Sequence, residues 1–226
     1  MKQHHGRPWW MPALSGRRCV CFVSTIALCV LFSPQARSQD TDLARPKQHL
    51  SIERPRVVSD AEALSIYQNV RERMHASYLR AEIPAIAGLC EWPLYNRVPY
   101  LSATHGQRYV NNYANALAHT YGRYEQAGPM PVGAVLAKDS FTFTRRGEVF
   151  AGALFVMEKM PSGFNPESHD WRYTMVMPDG SLFGTTKGEG SERVAFCTGC
   201  HEAVPERHHQ MFFVPPDYRV ENLLSP

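Results

Sequence analysis

Residues 132–143 read VGAVLAKDSFTF, residues 149–160 read VFAGALFVMEKM and residues 171–178 read WRYTMVMP. All three stretches are rich in Val, Phe, Tyr and Thr, side chains that pack well on a pleated surface. Turn signals separate them: Arg146-Gly147, then the polar run 161–170, then Pro178-Asp179-Gly180. The pattern predicts antiparallel strands joined by hairpins and one longer loop, with SLFGTT at 181–186 as a fourth strand.

Upstream of the strands the texture is helical. Ser59 and Glu62 have the spacing of a capping box, and Ala63, Tyr67, Val70, Met74 and Tyr78 follow at helical intervals. This predicts a helix from residue 59 to about 80. A loop with Pro84, Gly88, Pro93 and Pro99 follows. A second helix is expected over 107–126, with Val110, Tyr113, Ala114, Leu117, Tyr121 and Tyr124 as its apolar stripe and GPMP at 128–131 as its end. The fold class is therefore α+β: N-terminal helices, an antiparallel meander sheet, then a C-terminal segment carrying Cys and His. One domain is expected over 59–226.

The chain has 226 residues, 44% of them apolar and 20% charged, a globular balance. Its first 38 residues hold Lys2, Arg7, Arg17, Arg18 and Arg37 and no acid. Removing those five from the 24 basic residues leaves 19 against 21 acidic ones, so residues 39–226 sit near −2. A mildly acidic body argues against a nucleic-acid partner. After Arg18 comes a 14-residue apolar run, CVCFVSTIALCVLF at 19–32, and then SPQARSQD with small residues Ala36 and Ser38. This is the layout of a secretory signal peptide, residues 1–38, cleaved after Ser38. The run is short for a membrane span, so an uncleaved anchor is the lesser reading, and no span is expected after cleavage. Export to the periplasm or medium of a bacterium follows. The polar stretch 39–58 reads as a mobile leader. Cleavage leaves Cys90, Cys197 and Cys200, an odd count that fits no simple disulfide framework.

Cys197-Thr198-Gly199-Cys200-His201 is C-x-x-C-H, the attachment site of a c-type haem. Two thiols about one helical turn apart can reach the two vinyl groups of a porphyrin, and the following His binds the iron as proximal ligand. Rival readings are a zinc half-site completed by His208 or His209, and a thioredoxin-like dithiol, which would belong at the start of a helix in a βαβ unit. Only 25 residues follow His201, and the first Met among them is Met211. Met157, Met160, Met175 and Met177 fall in predicted strands and read as core filler. No His or Met stands out as a sixth iron ligand, so an open iron site is expected rather than a His/Met electron carrier.

With these residues in view, the run 107–213 resembles the cytochrome P-460 family. The matching elements are PVGAVLAKDSF at 131–141, VMEKM at 156–160, DWRYTMVMPDG at 170–180 and FCTGCH at 196–201, followed by MFF. The resemblance covers about half the chain. It implies an antiparallel-sheet fold with few helices, a covalent haem c with an open distal face, a frequent homodimer, and chemistry on a small nitrogen compound. Hydroxylamine oxidation, with a redox partner protein taking the electrons, is the activity the family name carries. The related cytochromes c′-β bind nitric oxide instead. A periplasmic electron-transfer cytochrome is the third expectation.

Lys138 matches the lysine that cross-links to the haem edge in the cytochromes P-460, against the ordinary reading of a solvent-facing strand Lys. Alternation places it on one strand face with Ala134, Leu136 and Ser140. Glu158 and Asp139 are candidate distal bases, since oxidising an N–H substrate requires removing protons, or they are exposed ion-pair partners. Arg108 is a candidate partner for a haem propionate, or a solvated residue on a helix flank. His105 and His119 read as structural and Trp171 as core. Cys90 has no assigned role.

Overall fold

A computed structural model describes residues 56–144 and 146–220. The expected signal peptide, residues 39–55 of the expected leader and residues 221–226 lie outside the described residues. Residues 56–58, counted with the leader above, are tied to the domain: Arg56 N donates to Phe143 O, and Val58 N donates to the Tyr109 hydroxyl at 2.9 Å.

Helix α1 spans Asp60–Leu79. Ser59 is its N-cap and its hydroxyl accepts from Glu62 N at 3.3 Å, as the capping spacing predicts. Ala63, Tyr67, Val70, Met74 and Tyr78 are all buried, so the helical stripe is the packing face. Short 3-10 turns at Pro84–Ile86 and Leu89–Glu91 follow.

Seven strands form one antiparallel sheet: β1 (Tyr100–Ser102), β2 (Arg108–Ala114), β3 (Val135–Phe143), β4 (Val149–Ala151), β5 (Leu154–Lys159), β6 (Trp171–Val176) and β7 (Leu182–Thr185). The order is β1-β2-β3-β5-β6-β7, with β4 pairing β3, so apart from β4 and β5, which both pair β3, sequence neighbours are sheet neighbours. The α+β class and the meander are as expected.

The expected helix over 107–126 is not present. Residues 108–114 form β2, and Ala116–Gln126 is 3-10 structure broken at Tyr124, whose φ is +53°. Every residue of β2 is buried, so the strand shows no alternation of apolar and polar positions, and its aromatic spacing mimics a helix. Leu117, counted in the stripe, is exposed. Asn115 ends the strand: its Oδ1 accepts from Ala118 N and Val135 N, and its Nδ2 donates to Gly133 O.

The run 149–160 also differs from one continuous strand. It divides into β4 and β5 at Gly152 and Ala153. A Cβ on Gly152 would stand 2.1 Å from Ser140 Oγ, so only glycine permits this approach. Gly152 N donates to Ser140 O at 2.6 Å, and Ser140 Oγ donates to Ala153 O at 2.7 Å. The turn after β6 is closed by Gly180 (φ +82°), which packs against Ser77 O at the end of α1.

The sheet has two covered faces. On one, Tyr109, Val135, Ala137, Phe141, Leu154 and Val156 pack against the buried stripe of α1. On the other, Val110, Ala114, Leu136, Trp171 and Tyr173 pack with the 3-10 segment and with Met211 and Val214 from the C-terminal segment. Trp171 is fully buried, as expected for core, and its Nε1 donates to His209 O. Among the described residues no helix is long and apolar enough to cross a membrane.

Candidate functional site

Helix α2 (Ala195–His201) carries the C-x-x-C-H motif. It follows a 3-10 turn at Ser191–Val194, entered through Gly190 (φ +62°). Gly184 of β7 lies so close to Gly190 that an added Cβ would stand 2.2 Å from Gly190 O. Val194 is buried beneath the turn, which seats α2 against the sheet.

His201 is buried, and its Nδ1 lies 2.7 Å from Gln210 O. A carbonyl only accepts, so Nδ1 carries the ring proton and the Nε2 lone pair is free to bind a metal. Gln210 is itself held on both sides. Its Oε1 accepts from the Tyr173 hydroxyl at 2.8 Å, and its Nε2 donates to Glu167 O at 2.7 Å. The imidazole is flanked by Tyr173 and Phe212, with ring centroids at 5.1 and 5.0 Å. Burial pushes its pKa down to about 4 against the pull of the Gln210 carbonyl, and Lys138 adds to the depression. His201 is therefore neutral at physiological pH.

Cys197, Cys200 and His201 line a cavity of about 310 Å³, together with Lys138 from β3. Its walls are mainly apolar: Leu136, Phe155, Met157, Met175, Phe196 and Phe212 all contribute. Cys197 is half-buried, and burial pushes its thiol up to about 12, with Cys200 adding to the rise. A thiol raised in this way does not suit dithiol redox catalysis. The zinc reading loses its ligand set as well: among the described residues no group of three or more His, Cys, Asp or Glu side chains could hold a metal ion. His209 stands beside His169 and His208 beside Phe213. Two thiols and a fixed imidazole on one apolar cavity wall fit the donor set of a c-type haem.

Lys138 is half-buried in the cavity wall, its Nζ 6.0 Å from the centre of the Phe212 ring. Burial lowers its pKa to about 8, and Cys200 pulls it partly back up. Alternation places Lys138 on the same face of β3 as Leu136, while Ala137 packs in the cluster on the α1 side.

The other sequence candidates lie elsewhere. Asp139, one residue from Lys138, takes the opposite face. It is completely buried and accepts from the Tyr67 hydroxyl and from Asn111 Nδ2. Glu158 shares the parity of Leu154 and Val156 rather than that of Phe155 and Met157. Its carboxyl group pairs with Arg172 Nη1 at 3.2 Å and does not line the cavity. Neither is placed to act as a distal base. Arg108 is no solvated helix residue: it is buried in β2, with its side chain over Gly152 and Ser140, and it is not among the residues that line the cavity.

Three residues assigned to the fold by sequence belong to the cavity. His105, from the turn between β1 and β2, lines it, as do Met157 and Met175. Reading His105 as structural and Met157 and Met175 as core filler left out their place on the cavity wall. His105 carried no periodic signal because it sits in an irregular turn, between Thr104 and Gly106 (φ +74°). Gln210 escaped notice because its backbone carbonyl, common to every residue, does the positioning.

No family model matches this chain, and no curated protein matches it.

Proposed function

We propose that this chain is an exported c-type haem protein of the cytochrome P-460 kind that oxidises hydroxylamine or a similar small nitrogen compound. The observation that carries this reading is the convergence of Cys197, Cys200, His201 and Lys138 on one apolar cavity. Cys197 and Cys200 would hold the haem by thioether bonds, and His201 would bind its iron through Nε2. Lys138 would supply the amine that the family joins to the macrocycle. A haem iron held there would supply ligand binding and electron acceptance at this site. The chain's own residues do the rest. The Gln210 carbonyl fixes the ligating tautomer of His201, the Tyr173–Gln210–Glu167 bonds hold that carbonyl in place, and the apolar walls exclude bulk water. A redox partner protein would carry the electrons away.

A second reading is reversible nitric oxide binding of the cytochrome c′-β kind. It is favoured by one observation: among the described residues no Asp or Glu lines the cavity, so a carboxyl proton acceptor for N–H oxidation is missing.

The test is expression in a host that matures c-type haem. Haem should stay on the chain through denaturation and acid extraction, and Cys197→Ala with Cys200→Ala should remove it. The reduced spectrum should be high-spin, and a digest should show haem joined to the peptide containing Lys138. Hydroxylamine should reduce an added electron acceptor. Covalent haem without the Lys138 adduct and without turnover transfers the assignment to nitric oxide binding. A low-spin spectrum assigns a sixth ligand from His105, Met157 or Met175 and replaces both readings with an electron carrier.

A further inference from the structure

Most polar side chains around the cavity are committed to the fold. Asn112 Oδ1 accepts from the Tyr100 hydroxyl and its Nδ2 donates to the Tyr121 hydroxyl, both at 2.8 Å. Tyr121 donates onward to Phe212 O, Tyr173 to Gln210 Oε1, and Thr174 shares its hydroxyl bond with Thr185. Beyond the two thiols and the ligating edge of His201, the Lys138 amine and one nitrogen of His105 belong to cavity-lining residues and have no hydrogen-bond partner among the described residues.

His105 is held as a positioned group is held. Its Nδ1 lies 3.0 Å from Ser102 Oγ and 3.1 Å from Thr104 Oγ1. Both hydroxyls are able to donate to Nδ1, and with Nδ1 accepting, the ring's single proton resides on Nε2. The ring meets Phe155 edge-on at a centroid distance of 4.8 Å, which fixes its plane. Burial holds the imidazole well below the ordinary histidine value, and Lys138 and His201 add to this, so the ring remains neutral.

We propose that His105, held by Ser102 and Thr104, donates a hydrogen bond from Nε2 to a small ligand bound in the cavity. It thereby selects ligands whose bound atom or its neighbour carries a lone pair, as hydroxylamine and nitric oxide do. The inference rests on the haem reading above. It assigns His105 as the residue that touches the ligand, and Ser102 and Thr104 as positioning residues.

The experiment uses the holoprotein with two probes that need no turnover: carbon monoxide on the reduced form and cyanide on the oxidised form. Removing a donor by His105→Phe should raise the C–O stretching frequency. It should also weaken cyanide binding about tenfold, the effect of one hydrogen bond to a ligand in a dry site. His105→Gln, which keeps an N–H donor, should restore part of both. Ser102→Ala with Thr104→Val should blunt both shifts while leaving haem content unchanged. An unchanged C–O frequency and cyanide affinity in a haem-loaded His105→Phe protein overturns the proposal. A low-spin wild type that turns high-spin in His105→Phe also overturns it, because His105 is then an iron ligand. Absence of covalent haem from the wild type overturns this proposal and the functional reading together, whereas the first two outcomes leave covalent haem attachment standing.

Discussion

Replacing Asp139 by alanine separates the two sides of strand β3. Asp139 is completely buried between β3 and α1. It accepts a hydrogen bond from the Tyr67 hydroxyl and another from Asn111 Nδ2 at 2.9 Å, and His75 Nε2 lies 3.1 Å from its Oδ2. Tyr67 keeps a second partner in the Tyr113 hydroxyl, but Asn111 Nδ2 and the His75 ring lose theirs inside a dry layer. Leaving a buried polar group unpaired costs about 1–3 kcal/mol, and breaking a buried network by removing one member costs about 3–5 kcal/mol. Asp139→Ala should therefore lower unfolding stability by about 3–5 kcal/mol, a large part of the ~5–15 kcal/mol typical of a domain. Urea unfolding measures this as a fall in midpoint at unchanged slope. Asp139→Asn keeps the shape and should lose roughly half as much. Cyanide affinity of the holoprotein should be the same in Asp139→Asn as in the wild type, because the side chain faces away from the cavity. A loss below ~1 kcal/mol in Asp139→Ala, or a tenfold change of ligand affinity in Asp139→Asn at unchanged stability, would refute the assignment of Asp139 to the α1 face.

Lys138→Met should stabilise the haem-free protein. The folded pKa of Lys138 is about 8 against an ordinary 10.5, so the unfolded chain binds the extra proton between those values. The wild type is penalised by about 3 kcal/mol below pH 8, and the penalty fades as pH rises to 10.5. Urea unfolding of both proteins at pH 7 and pH 10.5 checks this, and an equal difference at both contradicts it. Gly152→Ala places a Cβ 2.1 Å from Ser140 Oγ, a hydroxyl already bound to Ala153 O, and should cost about 1–3 kcal/mol by the same assay. Ser59→Ala removes the N-cap of α1. It should cost about 1 kcal/mol, read calorimetrically as a fall in Tm of roughly 2–4 °C.

What the sequence made legible follows from how each residue signals. Helix α1 showed itself through a capping pair and an uninterrupted stripe, both local properties. Strands β3, β6 and β7 showed themselves through composition and the turns between them. Strand β2 did not, because burial on both faces erases the period of two that marks a half-buried strand. Strand β1 has only three residues, too few to carry a period. In the site, Cys197, Cys200 and His201 were legible because C-x-x-C-H is a local spacing that needs no tertiary information. Lys138 was legible through the P-460 resemblance and through its parity with Leu136. That parity already told against Asp139, since adjacent strand residues point to opposite faces. Glu158 needed the register of β5 on β6, which sets it opposite Arg172. His105 needed the loop itself.

The sheet thus sorts polar groups by parity, and the sorting bears on what the cavity accepts. Asp139 lies on the α1 face, bonded to His75 and to Tyr67, while Glu158 is paired with Arg172. Among the described residues the cavity face keeps one basic amine, Lys138, and two imidazoles that burial holds neutral, His105 and His201. A cavity with a cation and no facing carboxylate repels positively charged ligands and admits neutral or anionic ones. The Lys138 charge that favours such ligands destabilises the empty fold, and joining that amine to a haem edge would remove the charge from the cavity. The same residue therefore links the electrostatics of the empty site to the covalent chemistry proposed for the filled one.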